Sequence, residues 1–278
     1  MLCRCPPFHC PKPLQDGILL PVRETEQGER TRCGGIPGRA TEGAELSLGH
    51  RERVRRMFAA IAPRYDLLNH VLSLTVDRRW RRVTARQLRP HLALSDALVL
   101  DLCCGTGDLA LELAPHARVI GVDFCRPMLQ IGKEKIARRQ ARVLLVEGDA
   151  LHLPFPENVF SAVTIAFGLR NLESPIHGLR EMHRVLRPGG IAAVLEFSQP
   201  VAPIFRHIFL FYFRNLLPRI GKWISGVAGP YEYLRDSVHA FLERCHVAQA
   251  MEDVGFVSVR SLALTGGIAV LYLGEKRP

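Results

Sequence analysis

Apolar and polar positions divide the chain into three regimes. Between Leu48 and Ala62, Val54, Phe58 and Ile61 recur at helical spacing, Arg51, Arg55 and Arg56 lie off that stripe, and Pro63 ends the run. A shorter apolar element spans Tyr65 to Leu74. A third helix is predicted over Asp77–Leu88, with Trp80, Val83 and Gln87 inward. Beyond Ala97, short apolar runs alternate with amphipathic ones. The runs near 97–102, 117–122, 142–147, 159–166, 190–197, 256–264 and 267–274 predict strands, mostly buried on both faces. The stretches near 108–115, 127–139, 173–187 and 239–254 predict helices. This order predicts an α/β, Rossmann-like fold: a seven-stranded mixed sheet with helices on both faces. Thr265-Gly266-Gly267 is short enough to make the last two strands antiparallel.

Two regions stand outside the alternation. Residues 1–46 are rich in Pro, Gly, Cys and charge without a sustained period, and are expected to lack order. Residues 47–95 then form a helical cap on a domain running from 47 to 278. Residues 200–230 interrupt the rhythm with an aromatic, apolar and basic mixture between the fifth strand and the last helix, where a substrate cover would sit.

Ligand chemistry concentrates at the end of the first core strand. Val99–Leu102 runs into Cys103-Cys104-Gly105-Thr106-Gly107-Asp108 and then a helical pattern. Gly105 and Gly107 allow a backbone to approach a ligand closely where strand gives way to helix. The turn lacks the dinucleotide fingerprint and the Lys-Ser/Thr of a phosphate loop. An acid at the helix mouth disfavours pyrophosphate and favours a ligand carrying a cation. The next strand ends in Asp123, whose carboxylate can accept both hydroxyls of a ribose, and an acidic Glu147-Gly148-Asp149-Ala150 follows the third.

The turn Asp101-Leu-Cys-Cys-Gly-Thr-Gly-Asp108 resembles the first motif of class I S-adenosylmethionine-dependent methyltransferases. Five further stretches narrow the resemblance: Tyr65–Asn69, Gly148–Pro156, Thr164–Asn171, Arg184–Gly190 with Glu196–Ser198, and Tyr231–Val238. Together they are similar to the quinone-biosynthesis C-methyltransferases, in order, over residues 50 to 276. The resemblance implies S-adenosylmethionine as methyl donor and a polyprenylated quinol as acceptor, most readily demethylmenaquinol in menaquinone biosynthesis, with the ubiquinone pathway as the alternative. It implies donor contacts from Thr106, Asp123, Asp149 and Ala150. Position 166 is Ala where ubiquinone-type members often carry Ser, and positions 68, 77 and 272 are Leu, Asp and Tyr where the family often has Met, His and His. Substrate choice stays open on these departures.

A quinol ring carbon becomes nucleophilic when a neighbouring phenol, with a pKa near 10, gives up its proton. The loop after the fourth strand faces the methyl group in this fold. Arg170 there fits stabilisation of the phenolate, or else forms a structural ion pair with Glu196 or Asp149. Asn171 can hold a quinol oxygen, and Tyr65 donates to the ring oxygen or packs. Asp66, His70 and a water are the candidate proton acceptors.

Charge adds a partner. The net +10 is uneven: residues 50–90 carry eleven Arg against three acids, and residues 203–222 carry four bases and no acid. Such patches suit an anionic membrane surface or nucleic acid. Nucleic acid is disfavoured, because Ala166-Phe167-Gly168-Leu169 is not the Asn/Asp-Pro-Pro-aromatic turn of amino-methylating enzymes and no Pro-Cys nucleophile occurs. The expected setting is the cytoplasm with peripheral contact at the inner face of the membrane; a homodimer is the other association considered. Cys3, Cys5, Cys10 and Cys33 near His9 match no common zinc spacing, so no metal site is expected.

Overall fold

A computed structural model describes residues 18–19, 39–93, 96–198, 200, 233, 237–238, 241 and 246–278. The sheet runs β1 (Ile18–Leu19), β4 (Val143–Glu147), β3 (Arg118–Asp123), β2 (Leu98–Leu102), β5 (Phe160–Ala166), β6 (Leu186–Phe197), β8 (Ala269–Glu275) and β7 (Val257–Leu264). β1 to β6 pair in parallel, while β8 is antiparallel to both β6 and β7. The seven predicted strands are present with boundaries shifted by a residue or two, except at β6. That strand begins at Leu186 and carries Pro188-Gly189-Gly190 as an irregularity between the pairs Phe160–Leu186 and Ala162–Ile191. Gly189 sits at φ +71°, the left-handed conformation the kink needs.

Helices cover both faces. α1 spans Arg39–Ile61, α2 Tyr65–Leu72, α3 Val76–Leu88, α4 Asp108–Leu113, α5 Arg126–Arg139, α6 Pro175–Val185 and α7 Val247–Val254. α1 starts at Arg39 rather than Leu48, because Ala40, Glu42, Ala44, Glu45 and Leu46 favour helix even without an apolar stripe. Both α1 before residue 47 and β1 therefore depart from the expectation that residues 1–46 lack order. Residues 1–17 and 20–38 lie outside the described residues, as do nearly all of the expected 200–230 cover and of 239–245.

Alternation along each strand splits the core in two. Leu100, Leu102, Val163 and Ile165 join Phe160, Met182, Met251 and Phe256 on one face. Val99, Ala162, Ala193 and Leu195 join Trp80, Leu88, Leu109 and Leu113 on the other. Every one of these is buried, so the sheet reads as continuous apolar runs. α3 buries Asp77, Trp80, Arg81, Thr84, Ala85 and Leu88. The predicted inward Val83 and Gln87 are only half-buried. A paired charge, Arg81 with Asp77, occupies the inner face that apolarity alone would have placed one residue round.

Candidate active site

The parallel strands bring four loops to one sheet edge. Leu102 of β2 pairs with Val122 of β3 and Ile165 of β5, and Asp123 pairs with Glu147 of β4. The glycine turn, Asp123, Gly148–Ala150 and Ala166–Gly168 therefore emerge side by side, the arrangement that makes a crevice in an open α/β sheet. An open cleft of about 940 Å³, solvent at its mouth included, occupies that edge. Its lining includes Gly105, Asp123, Asp149 and Ala150 from the sheet side, Arg51, Val54 and Phe58 from α1, and Tyr65 from α2. Close packing of the loops needs a glycine at one point: a Cβ on Gly168 would stand 2.5 Å from the Cβ of Cys103.

Asp123 is buried at the end of β3. Its Oδ2 accepts the Gly105 amide at 2.8 Å and its Oδ1 accepts the Cys125 amide at 2.8 Å. Burial pushes its pKa up to about 6, against the pull of those backbone bonds. A carboxylate oxygen has two acceptor sites, so each still has one to offer a ribose hydroxyl. Gly105 adopts φ +55°, and a Cβ there would meet only the Tyr65 ring edge at 3.9 Å, in space that belongs to the cleft. A buried acid with spare acceptor capacity beside a Cβ-free backbone fits an adenosine ribose, so the residues present fit the expected methyl donor. Asp149 holds the Leu151 amide at 2.9 Å through Oδ1 and Arg51 of α1 at 3.1 Å through Oδ2, which spans the cleft mouth.

The loop after β5 is organised differently from the expectation. Phe167 takes φ +58°, a costly conformation for a side chain of that size. Its carbonyl accepts Arg170 Nη1 at 2.6 Å and Asn171 Nδ2 at 3.3 Å. Its ring stacks on Phe197 at 4.7 Å and Trp80 at 5.8 Å. Arg170 Nη1 also meets Glu196 Oε1 at 2.6 Å, with the two side chains 7% and 0% exposed. Of the two readings open for Arg170, the geometry corresponds to the ion pair with Glu196. Arg170 is not on the cleft wall, and its guanidinium joins the Phe167 carbonyl to Glu196 instead. Asn171 does line the cleft, and its Oδ1 accepts the Tyr233 hydroxyl at 3.2 Å. Tyr233 falls within one of the motifs quoted above, but nothing in its spacing points to Asn171 as its partner.

A polar network ties the N-terminal helices to the glycine turn. Thr106 donates to Asp66 Oδ1 at 2.6 Å, and Lys135 of α5 reaches Asp66 Oδ2 at 2.7 Å, Thr106 at 3.1 Å and Asp108. Thr106 and Gly107 are consequently absent from the cleft lining. The Thr106 hydroxyl is turned towards the helical cap, and Gly107, at φ +79°, serves as the N-cap of α4. Asp66 is committed to this network, and His70 lies 3.1 Å from Asp77; neither lines the cleft. Tyr65 does, between Gly105 and the Phe58 ring at 6.1 Å, and burial raises its phenol pKa above the ordinary value. Tyr65 therefore holds its proton at neutral pH and can donate it in a hydrogen bond. No group of three metal-ligating side chains occurs among the described residues; the four N-terminal cysteines and His9 lie outside them.

Known proteins resemble this chain in sequence and in fold. The demethylmenaquinone methyltransferase of Deinococcus radiodurans is 49% identical over 229 residues, covering 81% of this chain and 93% of its own. The ubiquinone/menaquinone biosynthesis C-methyltransferase UbiE of Geobacter sp. M21 is 45% identical over 231 residues, covering 81% and 97%. A solved structure of a candidate S-adenosyl-L-methionine-dependent methyltransferase from Methanococcus maripaludis superposes with a TM-score of 0.54 at 17% identity. It covers 77% of this chain and 92% of that one, and that likeness bears on the fold alone. The profile of one family matches residues 47–276, more than half of the sequence, and the chain belongs to that family, the ubiE/COQ5 methyltransferases.

Proposed function

We propose that this protein transfers a methyl group from S-adenosylmethionine to a ring carbon of a polyprenylated quinol, most directly demethylmenaquinol, in menaquinone or ubiquinone biosynthesis. The supporting observation is a single cleft in which Asp123 and Gly105 offer a ribose site while Tyr65 and Asn171 face the same space. The bound donor supplies an electrophilic methyl group. The chain's own task is to hold the acceptor ring with its oxygen positioned to carry negative charge. Tyr65, protonated at neutral pH, donates to that oxygen. Asn171, steadied by Tyr233, offers an amide to the second ring oxygen. Asp149 and Ala150 bound the adenosine side, and α1 closes the cleft over it through Val54 and Phe58.

Incubation with methyl-labelled donor and a panel of demethylated naphthoquinols and benzoquinols tests the reading. The expected product carries label on a ring carbon of one or both classes. Donor binding without transfer to any quinol would overturn the acceptor assignment and leave the donor site standing.

A further inference from the structure

The outer face of α2 and the turn behind it presents apolar side chains to solvent. Leu67, Val71 and Leu74 are 54%, 39% and 77% exposed. Leu67 and Val71, four residues apart, share one face of α2, and Leu74 follows in the turn beyond its last residue, Leu72. Leu74 and Thr75 both take left-handed backbone conformations, at φ 52° and 63°. Neither is a glycine, and Leu74 is the most exposed large apolar side chain among the described residues. Strain of this kind persists where the surrounding structure fixes it, and here it holds a leucine outward at the tip of a turn.

The charges around this ridge are sorted by sign. Arg78, Arg79, Arg82 and Arg86 of α3 are exposed, and Arg78 Nε reaches His70 of α2 at 3.3 Å, which sets its guanidinium beside the ridge. The two acids of the same helices point the other way. Asp66 is bound by Lys135 and Thr106. Asp77 is buried with Ser73, Arg81 and His70. From Ala62 to Leu92 no carboxylate is exposed. A mixed surface meant only for water has no reason to withdraw every acid while leaving three large apolar groups out.

We propose that this face is a membrane-docking surface: Leu67, Val71 and Leu74 enter the boundary between headgroups and acyl chains of an anionic bilayer, and the α3 arginines contact lipid phosphates. The occupant follows from charge complementarity, since an apolar ridge beside exposed arginines, with no exposed carboxylate on the same two helices, matches an apolar phase beneath anionic headgroups. Among the described residues no helix is long and apolar enough to cross a membrane, so the contact is peripheral. Residues 203–222, the other basic segment, lie outside the described residues.

Co-sedimentation of the full chain with two vesicle preparations tests this. One is phosphatidylcholine alone; the other is equal parts phosphatidylcholine and phosphatidylglycerol. The full chain binds the mixed vesicles and not the neutral ones. Leu67→Ser/Leu74→Ser lowers partitioning at least about tenfold, since two leucines no longer leave water. Arg78→Gln/Arg82→Gln lowers it about fivefold per charge and flattens its salt dependence. Because every altered side chain is exposed, the variants keep wild-type circular dichroism and donor affinity. They also keep their rate on a quinol with a tail short enough to be water-soluble. Unchanged vesicle binding by the leucine variant overturns the proposal. So does a change in oligomeric state by sedimentation without a change in vesicle binding, which would make the ridge a contact between copies. Vesicle binding by a chain that methylates no quinol would overturn the proposed function and leave this surface intact.

Discussion

Removing the Arg170 side chain separates positioning from chemistry. Glu196 is wholly buried, and three donors meet it: Arg170 Nη1 at 2.6 Å, the Phe197 amide at 3.0 Å and the Arg170 amide at 3.3 Å. Arg170→Ala leaves that carboxyl group with two backbone amides and no counter-charge. Breaking a buried pair from one side costs about 3–5 kcal/mol, and the two surviving amides put this case near about 3. For a domain of this size each kcal/mol moves Tm by about 2–4 °C, so a fall of about 6–12 °C is expected. Glu196→Gln in the same chain removes the stranded charge and recovers much of the loss. Arg170→Lys keeps the charge but cannot reach both Glu196 and the Phe167 carbonyl, and it falls between. Thermal unfolding of wild type and these three variants, with donor affinity measured on each, checks these values. If Arg170→Ala melts within about 2 °C of wild type, the ion pair does not hold the Phe167 turn and the reasoning fails. If the double variant regains stability while single-turnover methylation stays low, the guanidinium acts on the reaction as well as on the turn.

Two further outcomes follow from the electrostatics of the cleft. Asp123, lifted to about 6, should give donor affinity that is full above neutral pH and falls as pH drops through about 6. Its contribution to folding has the opposite sign: with a raised native pKa the folded state holds the proton longer, so stability declines as pH rises from the ordinary 3.8 to about 6. Titration calorimetry across that range reads the first effect, and Asp123→Asn should leave a weak, flat profile. Asp101, pushed up to about 7 by its own burial, is a second carboxyl titrating in this window among the described residues. Lys135→Met should leave Asp66 without its cation and Asp108 with Arg81 alone, 4.0 Å away, costing about 1.5–3 kcal/mol in thermal unfolding and weakening the donor several-fold, with kcat at saturating donor little changed. A wild-type melting curve would mean that the network adds nothing to the fold.

What could be read from the chain follows from what is local. The β2 run, the glycines after it and the acid closing β3 are contiguous signals, and each appears within a residue or two of its expected place. The antiparallel β7–β8 connection at Thr265–Gly267 was legible for the same reason. β1 carries no signal, because two residues cannot show a period. The start of α1 was missed because a helix held by propensity has no apolar stripe. Side-chain partners were the least legible. Arg170 had two plausible acids, and choosing between them needs the sheet order that places Glu196 of β6 beside the β5 loop, while Asp149 is engaged by Arg51. Thr106 sits in a ligand-binding turn, yet its hydroxyl answers to Asp66, 40 residues earlier. Tyr233 and Asn171 are separated by 62 residues and meet only in the folded chain.

The cleft wall formed by α1 has a thermodynamic consequence. Val54, Phe58 and Arg51 belong to a helix that the sheet does not need to complete its own hydrogen bonding, and the Arg51–Asp149 pair at its mouth is exposed enough to contribute about 1 kcal/mol or less. A ligand seated between the glycine turn and α1 touches both, so docking of the helix and retention of the ligand share one free energy. By reciprocity, whatever loosens the helix loosens the ligand by the same factor, and whatever fills the cleft stiffens the helix. Amide hydrogen exchange along Arg51–Phe58 therefore becomes a gauge of occupancy at the sheet edge, readable without following any chemistry.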